Sequence, residues 1–137
     1  VHGEDGSLLI AEGLATALSV HMATRMTTLC AFNSGNLEAV AQLARKIHPK
    51  RIIVIAADDD RETFEKTGHN PGLNAAESAA RAVGGRIAVP PVATDFNDTH
   101  AARGLEAVRA ALAMAKPLEG GCNVNKKKKG SPKWSGT

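Results

Sequence analysis

The sequence predicts a three-layer α/β domain on a mainly parallel sheet of about four strands, flanked by helices. Three observations lead there. Short apolar runs alternate with longer segments of helical period, the pattern of βαβ units. The run Arg51–Ala57 (RIIVIAA) is apolar at consecutive positions, as a strand covered on both faces must be. Acidic or Asn/Gly residues follow each apolar run, so the polar chemistry gathers where such sheets place their sites, at the carboxyl ends of the strands.

The elements follow in order. Ser7–Ala11 (SLLIA) reads as a buried strand, and Glu12–Arg25 as a helix with Leu14, Ala17, Leu18 and Met22 at helical spacing. Thr28–Phe32 is strand-like and stops at Asn33-Ser34-Gly35. Asn36 is positioned to cap a helix to Ile47 with Leu37, Val40, Ala41, Ala44 and Ile47 inward, and Pro49 breaks it. After the strand Arg51–Ala57 come Asp58-Asp59-Asp60, and residues 61–70 read as a polar loop. Pro71–Val83 is an Ala-rich helix stopped by Gly84-Gly85. Arg86–Val89 is a short strand, Asp95-Phe96-Asn97-Asp98 a loop, and Thr99 or His100 to Lys116 the last helix. Residues 1–117 then form one domain, and 118–137, without periodicity, read as a disordered basic tail.

Composition narrows the function classes. At 137 residues with 43% hydrophobic and 23% charged residues, the chain can bury a core without metal or disulfide staples. Two cysteines, Cys30 and Cys122, make neither a disulfide framework nor a Cys-rich zinc site. No apolar run reaches membrane-spanning length and no signal peptide is visible, so a cytoplasmic location with no membrane partner is expected. The chain starts at Val1 and reads as a piece of a longer protein. The net charge of +3 is misleading: Lys126–Lys129 and Lys133 lie in the tail, and without them 12 basic face 14 acidic residues. A basic tail suits a polyanion, but a solvated linker end is the preferred reading. Aromatics are only 3%, with no Tyr, few for a protein that reads single strands mainly by stacking.

The acidic residues carry most of the chemistry. In an extended segment residues i and i+2 point the same way, so Asp58 and Asp60 face one point with Asp59 turned aside. Convergent carboxylates repel unless a cation lies between them, and hard oxygen ligands suit Mg²⁺ or Mn²⁺. A solvated acidic turn is the simpler alternative. Glu12 lies between an apolar strand and a helix start. It is either a helix-capping acid, which position alone favours, or a metal ligand or general acid/base. Ser34, Gly35 and Asn36 at a helix start have backbone N–H groups for a phosphate; Asn70–Asn74 reads more simply as a turn and helix start. There is no Walker or dinucleotide fingerprint, no zinc-type His spacing and no G-x-S-x-G elbow. His69 and His100, near acidic loops, are further phosphate candidates, and Cys30 reads as a buried small hydrophobe.

The ordered set IAEG, Asn-Ser-Gly, VIAADDD, NPGLNAAESAA and DFND resembles the Toprim domain shared by bacterial-type primases, type IA and type II topoisomerases and some nucleases. It is most similar to the modules of plasmid and phage primases or primase-helicases, over about Ser7 to Asp98. The resemblance implies that Glu12 is the general acid/base, that Asp58 and Asp60 bind Mg²⁺ (or Mn²⁺), and that Asp95 and Asp98, which match the acidic motif after the next strand, belong to the same metal site. It further implies RNA primer synthesis on a single-stranded DNA template from NTPs, with the other domains of a primase or replicative helicase as partners. The alternatives are a Toprim nuclease or recombination module and a non-catalytic DNA- or protein-docking domain. Residues 61–70 form a longer insert than in compact chromosomal primases. The absence of tyrosine removes a topoisomerase nucleophile, and no zinc module or helicase P-loop is present.

Overall fold

The computed structural model describes residues 6–92 and 94–118; the Lys-rich tail lies outside them. The elements are β1 (Leu8–Ala11), α1 (Leu14–Thr24), β2 (Thr28–Cys30), α2 (Ser34–Ile47), β3 (Ile53–Ala56), α3 (Arg61–Thr67), α4 (Pro71–Val83), β4 (Arg86–Ala88), α5 (Phe96–Arg103), α6 (Leu105–Ala113) and β5 (Lys116–Pro117). The sheet runs β2-β1-β3-β4-β5. Its first four strands are parallel, and β5 is antiparallel to β4.

Strand alternation builds two cores. Leu8, Ile10, Ile53 and Ile55 pack under α2 and α4 with Leu37, Ala41, Ala76 and Ala80. Leu9, Ala11, Val54 and Ala56 face α1, α5 and α6 with Ala17, Val20, Phe96 and Val108. Both faces of β1 and β3 are buried, which accounts for their uninterrupted apolar sequence. Small residues dominate the helix faces, so the helices lie close to the sheet.

The structure differs from the sequence reading in several places. Leu14, Leu18 and Met22 are exposed, and α1 buries Thr16, Ala17, Ser19, Val20 and Ala23 instead. Close approach selects the small-residue face over the more hydrophobic one. Ile47 is exposed in the last turn of α2 and Val40 only half-buried. Residues 61–67 are a helix, not loop: Phe64 N–H donates to Asp60 O, and Gly68, at φ 75°, closes the turn. None of its residues is buried, so there was no apolar period to read. The last helix is two, broken at Gly104 (φ 82°). Asp95 caps the first of them and Asp98 lies in its first turn, rather than in a loop. The fifth strand pairs Arg86 with Pro117 and Ile87 with Lys116; a two-residue edge strand leaves no periodic signal, and Pro is tolerated there.

Arg45 ties the opposite end of the molecule. Its Nε donates to Val83 O at 3.0 Å and its Nη1 to Arg51 O at 2.6 Å, with longer bonds to His48 O and Pro49 O. One guanidinium thus satisfies the end of α4 and the chain entering β3. Arg45→Met keeps the aliphatic stem and loses these charge-assisted bonds, with an expected destabilisation of about 2 kcal/mol. Urea unfolding should show a lower midpoint at unchanged slope.

Candidate active site

Chain connectivity determines where a site can form. From β1 the chain passes through α1 to β2 on one side, then through α2 to β3 on the other. The switch point is between the carboxyl ends of β1 and β3. Ala11 pairs with Ala56, so Glu12 continues β1 opposite Ala57, and Asp58 is the next residue along β3. Asp58 is held among like charges: its pKa is pushed up to about 7, first by burial, then by the charges of Glu12, Asp95 and Asp60, with a side-chain hydrogen bond to Glu12 adding to the rise. Its Oδ1 is buried without a hydrogen-bond partner. The fold therefore brings Glu12, Asp58, Asp60 and Asp95 to the same edge of the sheet, near enough for the other three charges to act on Asp58. Asp98 is not among the charges acting on Asp58; it accepts a hydrogen bond from Thr94 Oγ1 instead.

Asp59 sets this arrangement. It is 5% exposed, its N–H donates to Thr94 O at 2.6 Å, and its carboxylate accepts from Arg61 Nε at 2.6 Å and Asn70 Nδ2 at 2.8 Å. Asn70 Oδ1 in turn accepts from Asp60 N–H at 3.0 Å and from Leu73 N–H at the start of α4. Asp60 Oδ2 accepts from Gly72 N–H at 2.8 Å, a favourable place for a carboxylate. Gly72 packs so closely that an added Cβ would meet Asp58 O at 2.6 Å and Asp58 Cβ at 2.9 Å. Asp95 Oδ1 accepts from Asp98 N–H at 2.8 Å, capping α5.

Ser34, Gly35 and Asn36 lie beyond β2 at the same sheet edge and are exposed. The cap of α2 is Asn33, not Asn36: Asn33 Oδ1 accepts from Asn36 N–H at 3.0 Å, while Asn36 Nδ2 donates to Ala31 O at 3.1 Å. The residue before this cap, Phe32, has φ 69°, a left-handed conformation costing a non-glycine residue about 1 kcal/mol. His100 Nδ1 hydrogen-bonds Ser19 Oγ at 3.0 Å and His69 is exposed. Cys30 is half-buried on the edge strand and donates to Glu12 O. The parts that sequence reasoning missed are Arg61, Asn70 as a bridge, and the close approach of Gly72. An Asn-Pro-Gly turn was visible, but its partners lie 10 to 12 residues away.

Among the described residues no group of three or more His, Cys, Asp or Glu side chains is placed to hold a metal ion. Magnesium seldom needs such a group, since it keeps waters and takes substrate phosphates beside one or two carboxylates. The unpartnered buried oxygen of Asp58 and the three acids around it have that character.

Two outcomes are expected. Asp58 has an ordinary pKa of 3.8 and about 7 when folded. The stability carried by its protonated form is complete below the lower value and is lost as pH rises through the upper one. In chelator, the Tm of the parent should fall over this window. Asp58→Asn should flatten the fall and melt a few degrees higher at about pH 8; an unchanged slope in the variant refutes this origin. Gly72→Ala should cost about 1–3 kcal/mol, because backbone must move, and should shift the Asp58 carboxyl titration followed by NMR.

The family model of the Toprim domain matches residues 7–106. The chain is 48% identical over 84 residues to a DNA primase TraC of Escherichia coli, and 45% identical over 91 residues to another. These matches cover 61% and 66% of this chain but only 6% and 9% of those proteins. One similar fold occurs in the structure of bacteriophage T7 lagging-strand DNA polymerase interacting with primase domains of two gp4 subunits. It has a TM-score of 0.62 at 15% identity and covers 82% of this chain and 56% of that one. Another is the RNA polymerase domain of Mycobacterium tuberculosis primase DnaG, with a TM-score of 0.51 at 19% identity, covering 81% and 35%. At such identities the likeness is one of fold. With the family model matched over residues 7–106, most of its length, the chain belongs to the Toprim domain family.

Proposed function

We propose that this chain is the metal-dependent nucleotidyl-transfer module of a plasmid-type DNA primase, acting in RNA primer synthesis on single-stranded DNA within a longer polypeptide. The observation that carries this reading is Asp58: a buried, unpartnered carboxylate oxygen at the switch point, with its pKa raised to about 7 by burial and by Glu12, Asp95 and Asp60. Such a site is destabilised when empty of cations and suited to one.

Asp58 and Asp60 are the proposed holders of Mg²⁺ or Mn²⁺, with Asp95 near enough to add its charge. The ion supplies charge neutralisation at the transferred phosphoryl group. Glu12, just beyond the end of β1, holds or moves the proton of the reacting hydroxyl. Ser34 and Gly35 are the proposed phosphate contacts at the N-terminal end of α2, and Asn36, whose N–H is taken by Asn33 Oδ1, shapes that turn. Asp98, which accepts a hydrogen bond from Thr94, is a further acid beside the group of Asp58, Asp60 and Asp95. Template DNA, NTPs and the remaining domains of a primase or primase-helicase are the proposed partners. None of the described helices is long and apolar enough to cross a membrane.

The test has two stages. Mn²⁺ should selectively broaden the amide signals of residues 12–13, 58–60 and 95, and Asp58→Asn with Asp60→Asn should abolish the effect. Equal broadening in the double variant would put the ion elsewhere. In the full polypeptide, Glu12→Gln should lower primer synthesis about 10²-fold or more, while the isolated chain should make no primer. Template cleavage in place of oligoribonucleotide products would assign the nuclease chemistry instead.

A further inference from the structure

We propose that Phe32 is a stacking platform for an unpaired nucleobase at the mouth of the Glu12–Asp58 crevice, an inference that rests on the nucleotidyl-transfer reading. Of the three phenylalanines, Phe96 is buried in the core, whereas Phe64 on α3 is 54% and Phe32 73% exposed, and of these only Phe32 has a positive φ. Its location is specific. Ala11 pairs with Cys30, so Glu12 lies opposite Ala31 and Phe32 comes next, on the same sheet edge. Two strand spacings, roughly 10 Å, separate its strand from that of Asp58. This is within the span of one nucleotide, whose phosphate can sit at the carboxylates while its base reaches the ring.

The backbone around Phe32 holds the ring outward. Ala31 is buried, donates its N–H to Ala11 O at 2.9 Å and accepts from Asn36 Nδ2 at 3.1 Å. Asn33 is the extended cap of α2. With both neighbours pinned, Phe32 adopts φ 69°. Glycine would take this conformation freely, and a polar residue would suit the exposure. A large apolar ring meets neither requirement, and its position is explained by what it offers to a ligand: a flat face, which every base can use regardless of sequence.

The experiment uses the 137-residue chain and three substitutions. Phe32→Gly removes the ring and relieves the positive φ, so its Tm should equal or exceed the parent's. Its affinity for a labelled single-stranded dT oligomer or for ATP should fall about tenfold. A loss confined to the oligomer makes the template the source of the base, and a loss confined to ATP makes it the incoming nucleotide. An abasic oligomer should bind parent and variant equally. Phe32→Leu, equally apolar but not flat, should remain weak. Phe32→Trp, made with Trp134→Phe, should restore affinity and show indole quenching on binding. Parent-like binding by the Gly or Leu variant, or no binding of either probe to the parent, overturns the proposal. Mn²⁺ broadening at Asp58 should be the same in parent and Phe32→Gly. If it is present and the ring has no effect, stacking alone fails; if it is absent while the ring still matters, the nucleotidyl-transfer reading fails and the base platform stands.

Discussion

The buried carboxylate of Asp59 is the fixed point from which the acidic edge of the sheet is built. The residue joins three segments: its N–H donates to Thr94 O before α5, and its carboxylate accepts from Arg61 at the start of α3 and from Asn70 at the start of α4. Burying a carboxylate is costly unless its bonds are satisfied. Here two side-chain donors satisfy it, and Arg61 remains half-exposed at the other end. Beyond the anchor the chain does not stay extended: Asp60, at φ −77° and ψ 57°, is the centre of a tight turn in which Arg61 N–H donates to Asp59 O at 2.8 Å. Asp60 is then taken by the Gly72 N–H, and Asp58 is left with an oxygen that nothing in the chain satisfies.

This division among three consecutive acids explains why they do not simply form a solvated turn. One supplies stability, one caps the approach of α4, and one carries the strain. The strain is electrostatic and arises from the fold itself. Glu12 and Asp95 arrive from β1 and from the loop before α5, far apart in sequence, and both raise the cost of ionising Asp58. A chain optimised for stability alone would replace one of them. Keeping them together is the usual signature of a site that binds a cation or a proton.

Small residues make the geometry attainable. Alanines line the sheet-facing sides of α2 and α4, and Gly72 lets the first turn of α4 rest against the Asp58 backbone. The same close packing reverses the expected orientation of α1, whose leucines are left in solvent while Ala17, Ser19 and Ala23 are buried. Hydrophobicity sets which segments are helices, but clearance between layers decides which face of a helix turns inward.

Much of the fold was legible locally, because its signals are local. The apolar runs at Leu8–Ala11 and Ile53–Ala56, the Pro-to-Gly limits of α4 and the Asp and Glu at strand ends all follow from period, capping and turn chemistry in neighbouring residues. The parallel sheet and the carboxyl-end location of Glu12, Asp58, Asp60 and Asp95 follow from them. The helix at 61–67, the break at Gly104 and the pairing of Lys116–Pro117 were not legible, since the first buries no residue and the last depends on a partner strand 30 residues away. Nor could the sequence distinguish the tasks of its acids. Asp59 as anchor, Asp98 turned to Thr94 and Asp58 left with Oδ1 unpartnered are decided by which groups the tertiary fold brings within reach. The alternation of strands and helices is a property of neighbouring residues, whereas the ionisation of a carboxylate depends on every charge and every layer of protein around it.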